Sequence, residues 1–221
     1  MKKIFYLLCF LSLFLLFTGV LRGQNDSTTL KLIYLNRELS LLNDLNNIQY
    51  TGFECRDSLA KGKRFLLLLE EYRDGHKIFS DTASLNCKEE VIPMNVGGKT
   101  MNYLYNPCER MSFLEEADSF IVALAGKLEG DRFKLLVSYP SMTMKKDLKG
   151  GSEYSLRSIS CDADDNMRVP FNRLTPVFAY TPPFQTEQGM GSYCILGTEK
   201  VEDWYERFKV SHYYVISLLI E

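Results

Sequence analysis

Two short stretches restrict this chain more than any others: "RDGH" at Arg73–His76 and "EGDR" at Glu129–Arg132. Each lies between two apolar, β-prone runs. Asp74-Gly75 supplies the positive backbone angles that a two-residue hairpin turn demands, and Gly130-Asp131 repeats the pattern. Tight turns join antiparallel strands, whereas parallel neighbours need a long crossover. Strands are therefore predicted on both sides of Asp74-Gly75, and near Ser119–Leu128 and Arg132–Tyr139.

Further strands are predicted in "SEYSLRSIS", "TPVFAY", "SYCILG" and "HYYVISLLI". The last is apolar on both alternating faces. Tyr214, Ile216, Leu218 and Ile220 fall on one face, and Tyr213, Val215 and Leu219 on the other. That pattern fits a central strand covered on both sides. Three short helices are predicted as well. Asn36 caps the first, Asn36–Asn47, whose Leu35, Leu39 and Leu42 share a face. Asn106, Pro107 and Glu109 open the second with a capping box. Thr198 caps the third, whose Val201, Trp204, Tyr205 and Phe208 form one stripe. No regular strand–helix–strand alternation appears, which disfavours a doubly wound parallel sheet. The expected fold is mainly β: an antiparallel two-sheet, sandwich-like domain with about three short helices, with α+β as the alternative.

The N-terminus reads as a leader. Lys2 and Lys3 precede an apolar run from Ile4 to Phe17 broken only by Ser12, and "TGVLRG" closes it with a small residue at Gly23. Residues 1–23 are expected to be a signal peptide and 24–221 a single exported domain, in the periplasm or at the cell surface; only if left uncleaved would the leader, whose run extends to Leu21, hold the chain to a membrane. Cleavage takes three of the 26 basic residues and none of the 28 acidic ones, leaving a net charge of −5. No basic stripe or tail appears, so nucleic acid is not an expected partner. "KGKR" (Lys61–Arg64) and "KKDLK" (Lys145–Lys149) read as solvated turns. The mature chain keeps Cys55, Cys87, Cys108, Cys161 and Cys194. Export permits disulfides, but no pair has C-x-x-C spacing. The odd count leaves at least one thiol free or paired between chains.

"GGKT" at Gly97–Thr100 has the letters that end a phosphate-binding loop. That loop requires a glycine five residues before Gly98, followed by a helix. The required position is Pro93, which has no N–H to give, and the flanks "EEVIPMNV" and "KTMNYLY" read as strands. Gly97-Gly98 is therefore expected to be a hairpin turn pairing Glu90–Val96 with Lys99–Tyr105, and no nucleotide is expected. In "CDADDNMRVPFNR", Asp162, Asp164 and Asn166 occupy positions 1, 3 and 5 of a calcium loop, where oxygens from alternate residues converge on a hard cation. Met167 stands where that loop needs Gly and Arg173 where it needs Glu, so half of a Ca²⁺ ligand set is set against a solvated polar turn. His76 and His212 are the only histidines, too few for a two-histidine metalloprotease helix. They read as a turn residue and a strand-end residue. No G-x-S-x-G nucleophile elbow occurs, while paired carboxylates stay open because 28 acids offer many pairs. In "YTPPFQTEQGMGSY" (Tyr180–Tyr193), Phe184 and Tyr193 bracket a polar loop between two strands, and both are candidate ligand-binding rings.

The leader followed by "GQN", together with "YTPPF", "SYCILG", "EDWYERF" and "SHYYVISLLIE", resembles exported domains of unknown function from gut Bacteroidetes. The resemblance implies export and carries no catalytic residue. The functional expectation is an exported non-catalytic module that binds a protein or glycan, or belongs to an envelope assembly. The alternative is an envelope hydrolase acting on glycan or peptide through unassigned carboxylates.

Overall fold

The computed structural model describes residues 26–82, 90–105, 109–140, 142–159, 162–186, 189–190, 196–197 and 199–221. The expected leader, residues 1–23, lies outside the described residues. Strand β1 (Ser27–Leu32) leads to helix α1 (Arg37–Leu45) and back into β2 (Ile48–Cys55). Then come the hairpins β3 (Phe65–Arg73) with β4 (His76–Thr82), and β5 (Glu90–Val96) with β6 (Lys99–Tyr105). A meander of β7 (Phe120–Glu129), β8 (Arg132–Tyr139) and β9 (Met142–Lys149) follows. The chain continues through β10 (Ser155–Ser158), β11 (Asn166–Pro170), β12 (Thr175–Thr181) and the two-residue strands β13 (Gln185–Thr186) and β14 (Gly189–Met190). It closes with α2 (Trp204–Phe208) and β15 (His212–Ile220).

Two antiparallel sheets make the sandwich. One runs β11-β1-β2-β7-β8-β9 and the other β10-β12-β15-β3-β4. The predicted turns set the local pairing. Asp74 and Gly75 have φ of 50° and 79°, and Arg73 pairs with His76 across them. Gly130 has φ of 64° between the paired Glu129 and Arg132. Gly97 and Gly98, at 61° and 80°, turn β5 into β6, with Val96 opposite Lys99. "GGKT" is thus a hairpin tip, and a strand rather than a helix follows it.

Strand β15 is the middle strand of its sheet, and both of its faces are covered. Tyr214, Ile216, Leu218 and Ile220 join the core between the sheets. Tyr213 and Val215 join a second cluster on the outer face, built with Tyr72, Leu196, Val201, Trp204 and Phe208. The five-stranded sheet is therefore the middle of three layers. Across the inner core, Phe65 of β3 stacks on Phe120 of β7 at 4.2 Å between ring centroids. Phe53 of β2 stacks on Phe178 of β12 at 6.1 Å.

Several expectations need correction. The second helix is only a 3₁₀ turn, Glu109–Met111, and its first capping residues lie outside the described residues. Met111 and Phe113 are fully buried. The local backbone bonds run to another segment: Phe113 N–H donates to Lys63 C=O (2.9 Å) and Gly62 N–H to Phe113 C=O (2.6 Å). Those long-range bonds hold the chain extended where the capping letters favour a helix. The third helix is shorter than predicted: a 3₁₀ turn, Val201–Asp203, runs into α2, and Lys209 (φ 57°) ends it. Tyr205 leaves the stripe and is exposed. "KKDLK" is not a turn. It belongs to edge strand β9, where Lys145, Lys146 and Lys149 give the exposed edge a charge that discourages further pairing. Lys146 also pairs with Asp81 of β4, joining the rims of the two sheets. Cys55 is a free thiol, fully buried and 3.5 Å from Thr28 Oγ1, and burial pushes its pKa up. Cys87, Cys108, Cys161 and Cys194 lie outside the described residues.

Candidate functional site

Helix α1 starts as its cap residue dictates: Leu39 N–H donates to Asn36 Oδ1 (2.9 Å). Its orientation departs from the predicted apolar face. None of its residues is buried, and Leu41, Leu42 and Leu45 are 55, 54 and 80 % exposed. Ser40, Asn43 and Asp44, at i, i+3 and i+4, turn instead toward a cleft against β2 and β10. Periodicity identifies an amphipathic helix but does not say which face meets the domain.

This cleft has a volume of about 540 Å³, within the range of roughly 300–1,000 Å³ usual for ligand sites. Leu32 to Leu35 form one wall, α1 a second, Ile48 to Thr51 of β2 the floor, and Leu156 to Ser158 of β10 the far rim. The segment after β1 is held in place by Ile33 N–H donating to Gly52 C=O (3.1 Å). Tyr34 is largely exposed, and Tyr50 is half-buried with its hydroxyl pKa raised by burial. Arg157 and Asp44 are the only charged residues of the lining, and Arg157 has no ion-pair partner among the described residues. Ser158 Oγ is buried without a hydrogen-bond partner among the described residues. Two further clefts adjoin, one sharing Leu32 and Ile33 and the other Asp44, Ile48 and Gln49.

Of the expected site residues, Phe184, Asp162, Asp164 and Asn166 lie elsewhere. Phe184 is 4 % exposed and packs on Phe208 with centroids 5.1 Å apart. It is a packing ring of the outer cluster and presents no face to a ligand. Tyr193 lies outside the described residues. Asp162, Asp164 and Asn166 form a closed turn: Asp162 Oδ1 accepts from the N–H groups of Asp164 (2.9 Å) and Asn166 (2.8 Å). Those bonds, Asn166 first, lower the Asp162 pKa. No cluster of three or more His, Cys, Asp or Glu side chains that could hold a metal occurs among the described residues. Asp162→Ala is expected to lower the melting temperature by the same amount with and without added calcium. A calcium-dependent rise confined to the wild type would restore the metal reading.

One polar constellation could not be read from sequence spacing. His212 Nε2 lies 3.0 Å from Glu71 Oε1, and its Nδ1 3.0 Å from Tyr154 Oη. Tyr214 Oη accepts from Lys149 N–H (3.0 Å), and burial pushes its pKa up to about 12. With a proton on Nε2, the ring donates to Glu71 and accepts from the Tyr154 hydroxyl. Both ring nitrogens are then engaged. Neither His212 nor Glu71 lines any of the three clefts. The constellation joins β3, β15 and the segment before β10 at the rim of the sandwich.

A second exposed surface is the β5–β6 hairpin. Register places Ile92 opposite Tyr103 and Met94 opposite Met101, and all four side chains are exposed. Fold and cleft together define an antiparallel sandwich with an open surface groove. Comparison with protein-family models, with curated proteins and with solved structures finds no match.

Proposed function

We propose that the protein is an exported, non-catalytic module that binds a protein or glycan in the cleft between α1, β2 and β10, in the periplasm or at the cell surface. The observation that carries the reading is the cleft's lining. It combines an unpaired guanidinium, a half-buried tyrosine and several neutral polar side chains on a rigid sheet. Tyrosine and arginine are the residues that most often concentrate binding energy at a recognition surface. The leader sequence supports export.

The test is retention of the mature chain, residues 24–221, on glycan and peptide arrays. Tyr50→Ala and Arg157→Ala are each expected to weaken retention of any hit by roughly tenfold or more. Arg157→Ala should leave stability within about 0.5 kcal/mol, as exposed changes do, whereas Tyr50→Ala, at a half-buried position, should cost about 1 kcal/mol or more. Retention unchanged in both variants would move the binding site away from this cleft.

The alternative, an envelope hydrolase acting on glycan or peptide, draws on the His212–Glu71 pair. Turnover of a glycan or peptide substrate that His212→Gln abolishes would establish it in place of the binding reading.

A further inference from the structure

We infer that a second copy of this chain covers the exposed β5–β6 hairpin, and that it does so with α1. Two copies pair reciprocally, each laying its helix on the other's hairpin. The hairpin belongs to neither sheet of the sandwich. A lone two-stranded hairpin is marginally stable in water and needs further strands, or a helix, against an apolar face. Register defines that face: Ile92, Met94 and Val96 of β5 lie opposite Tyr103, Met101 and Lys99 of β6. Its five apolar side chains are 37–59 % exposed. On the other face, Asn95, Thr100 and Asn102 are polar, with Val91 and Leu104 only at the base.

The chain carries the missing helix. Glu38, Leu41, Leu42 and Leu45 fall at i, i+3, i+4 and i+7 of α1, one stripe along the helix. All four are exposed. The 3.6-residue period puts this stripe on the side away from Ser40, Asn43 and Asp44, which face the cleft. The inference is therefore independent of the cleft reading. The two patches agree in length and in charge. Glu38 to Leu45 rises about 10 Å along the helix, and Val96 to Ile92 spans about 13 Å of strand. Each patch ends in one charge, Glu38 on the helix and Lys99 at the hairpin tip, and the signs are opposite. Neither has an ion-pair partner among the described residues. Area selects the reciprocal arrangement. One contact removes roughly 400 Å² from each partner, about 800 Å² in all, which is no more than a lattice contact buries. A two-fold pair makes the contact twice and reaches about 1,600 Å², the standard size of a stable interface.

Sedimentation velocity of the mature chain, residues 24–221, is expected to show a dimer at about 100 μM, since interfaces of this size bind at micromolar or tighter. Glu38→Lys and Lys99→Glu are each expected to weaken association about tenfold or more, because like charges then meet at both contacts. Equal amounts of the two variants mixed together are expected to associate as the wild type does, because every contact again joins opposite charges. Should Glu38→Lys unfold α1, Lys99→Glu and Met101→Asp, both on the hairpin, decide in its place, each with a similar loss expected. A chain that stays monomeric at that concentration would overturn the inference, and flotation of that monomer with phosphatidylcholine vesicles would give the hairpin to a lipid surface instead. A dimer that none of these substitutions weakens would overturn the contact between α1 and the hairpin. Growth into open-ended oligomers would overturn the reciprocal pair.

Discussion

Trp204→Ala is expected to destabilise the domain by about 3–5 kcal/mol, as truncation of a fully buried large aromatic does. Trp204 has no exposed surface. Its ring packs on Tyr213 with centroids 5.1 Å apart, and its indole N–H donates to Leu196 C=O (3.2 Å). Tyr213 in turn stacks on Tyr72 at 5.2 Å, with the rings nearly parallel, and its hydroxyl donates to Val201 C=O (2.7 Å). The substitution removes the ring at the centre of the outer cluster and leaves the Leu196 carbonyl with only the bond from Glu199 N–H (3.3 Å). Trp204→Phe separates the two effects. It restores most of the packed volume but not the hydrogen bond, whose loss costs about 0.5–1.5 kcal/mol because the Leu196 carbonyl keeps the Glu199 N–H donor. Urea unfolding followed by far-ultraviolet and tyrosine signals measures both. If the outer layer is an integral part of the domain, the two signals shift together in one transition. Loss of the tyrosine signal alone at low urea would show that the layer around α2 opens independently of the sheet it covers.

The features legible in the sequence are those whose cause is local. A two-residue turn needs positive φ, and Asp-Gly, Gly-Asp and Gly-Gly announce it, so three hairpins can be placed with their partners. The run at Tyr213–Ile220 is apolar on both faces because two separate clusters cover it, and this identifies the middle strand of a sheet. Strands β1, β2, β9 and β11 leave weaker traces. In β2 the alternation is interrupted at Gly52, where a Cβ would come within 2.5 Å of the Val122 carbonyl. In β9 the edge position calls for lysines, and they mask the strand. The candidate site is harder still to read. Gln49 meets Leu156 across 107 positions, and Glu71 meets His212 across 141. Spacing along the chain carries no trace of such pairs. Phe184 looked like a loop ring because its neighbours are polar, yet Phe208, far along the chain, gives it a packed partner. For α1 the helix and its cap are local, whereas the direction of its leucines depends on how little of the domain lies behind it.

Phe65→Ala should match Trp204→Ala in magnitude, about 3–5 kcal/mol, but for a different reason. Phe65 is the β3 ring through which the five-stranded sheet grips the six-stranded one. It stacks on Phe120 at 4.2 Å and lies 6.5 Å from Phe53, both on the opposite sheet. It also meets Phe113 at 6.4 Å in the connecting segment. Each aromatic pair contributes about 0.5–1.5 kcal/mol beyond the area it buries, so a ring with three partners loses more than its transfer energy. Total stability of a domain is about 5–15 kcal/mol, and the loss is a large part of it. Phe65→Leu keeps most of the apolar contact and gives up the stacking, so it should recover more than half of the loss. The decisive comparison is with Trp204→Ala. The two substitutions strike opposite faces of one sheet, and β15 is common to both clusters. If that shared sheet couples the layers, each variant unfolds in one cooperative transition. The double variant should then lose close to the sum, because the two rings share no contact. A loss well below the sum would mean that the first substitution had already released the other layer, and the three-layer account of the domain would fail.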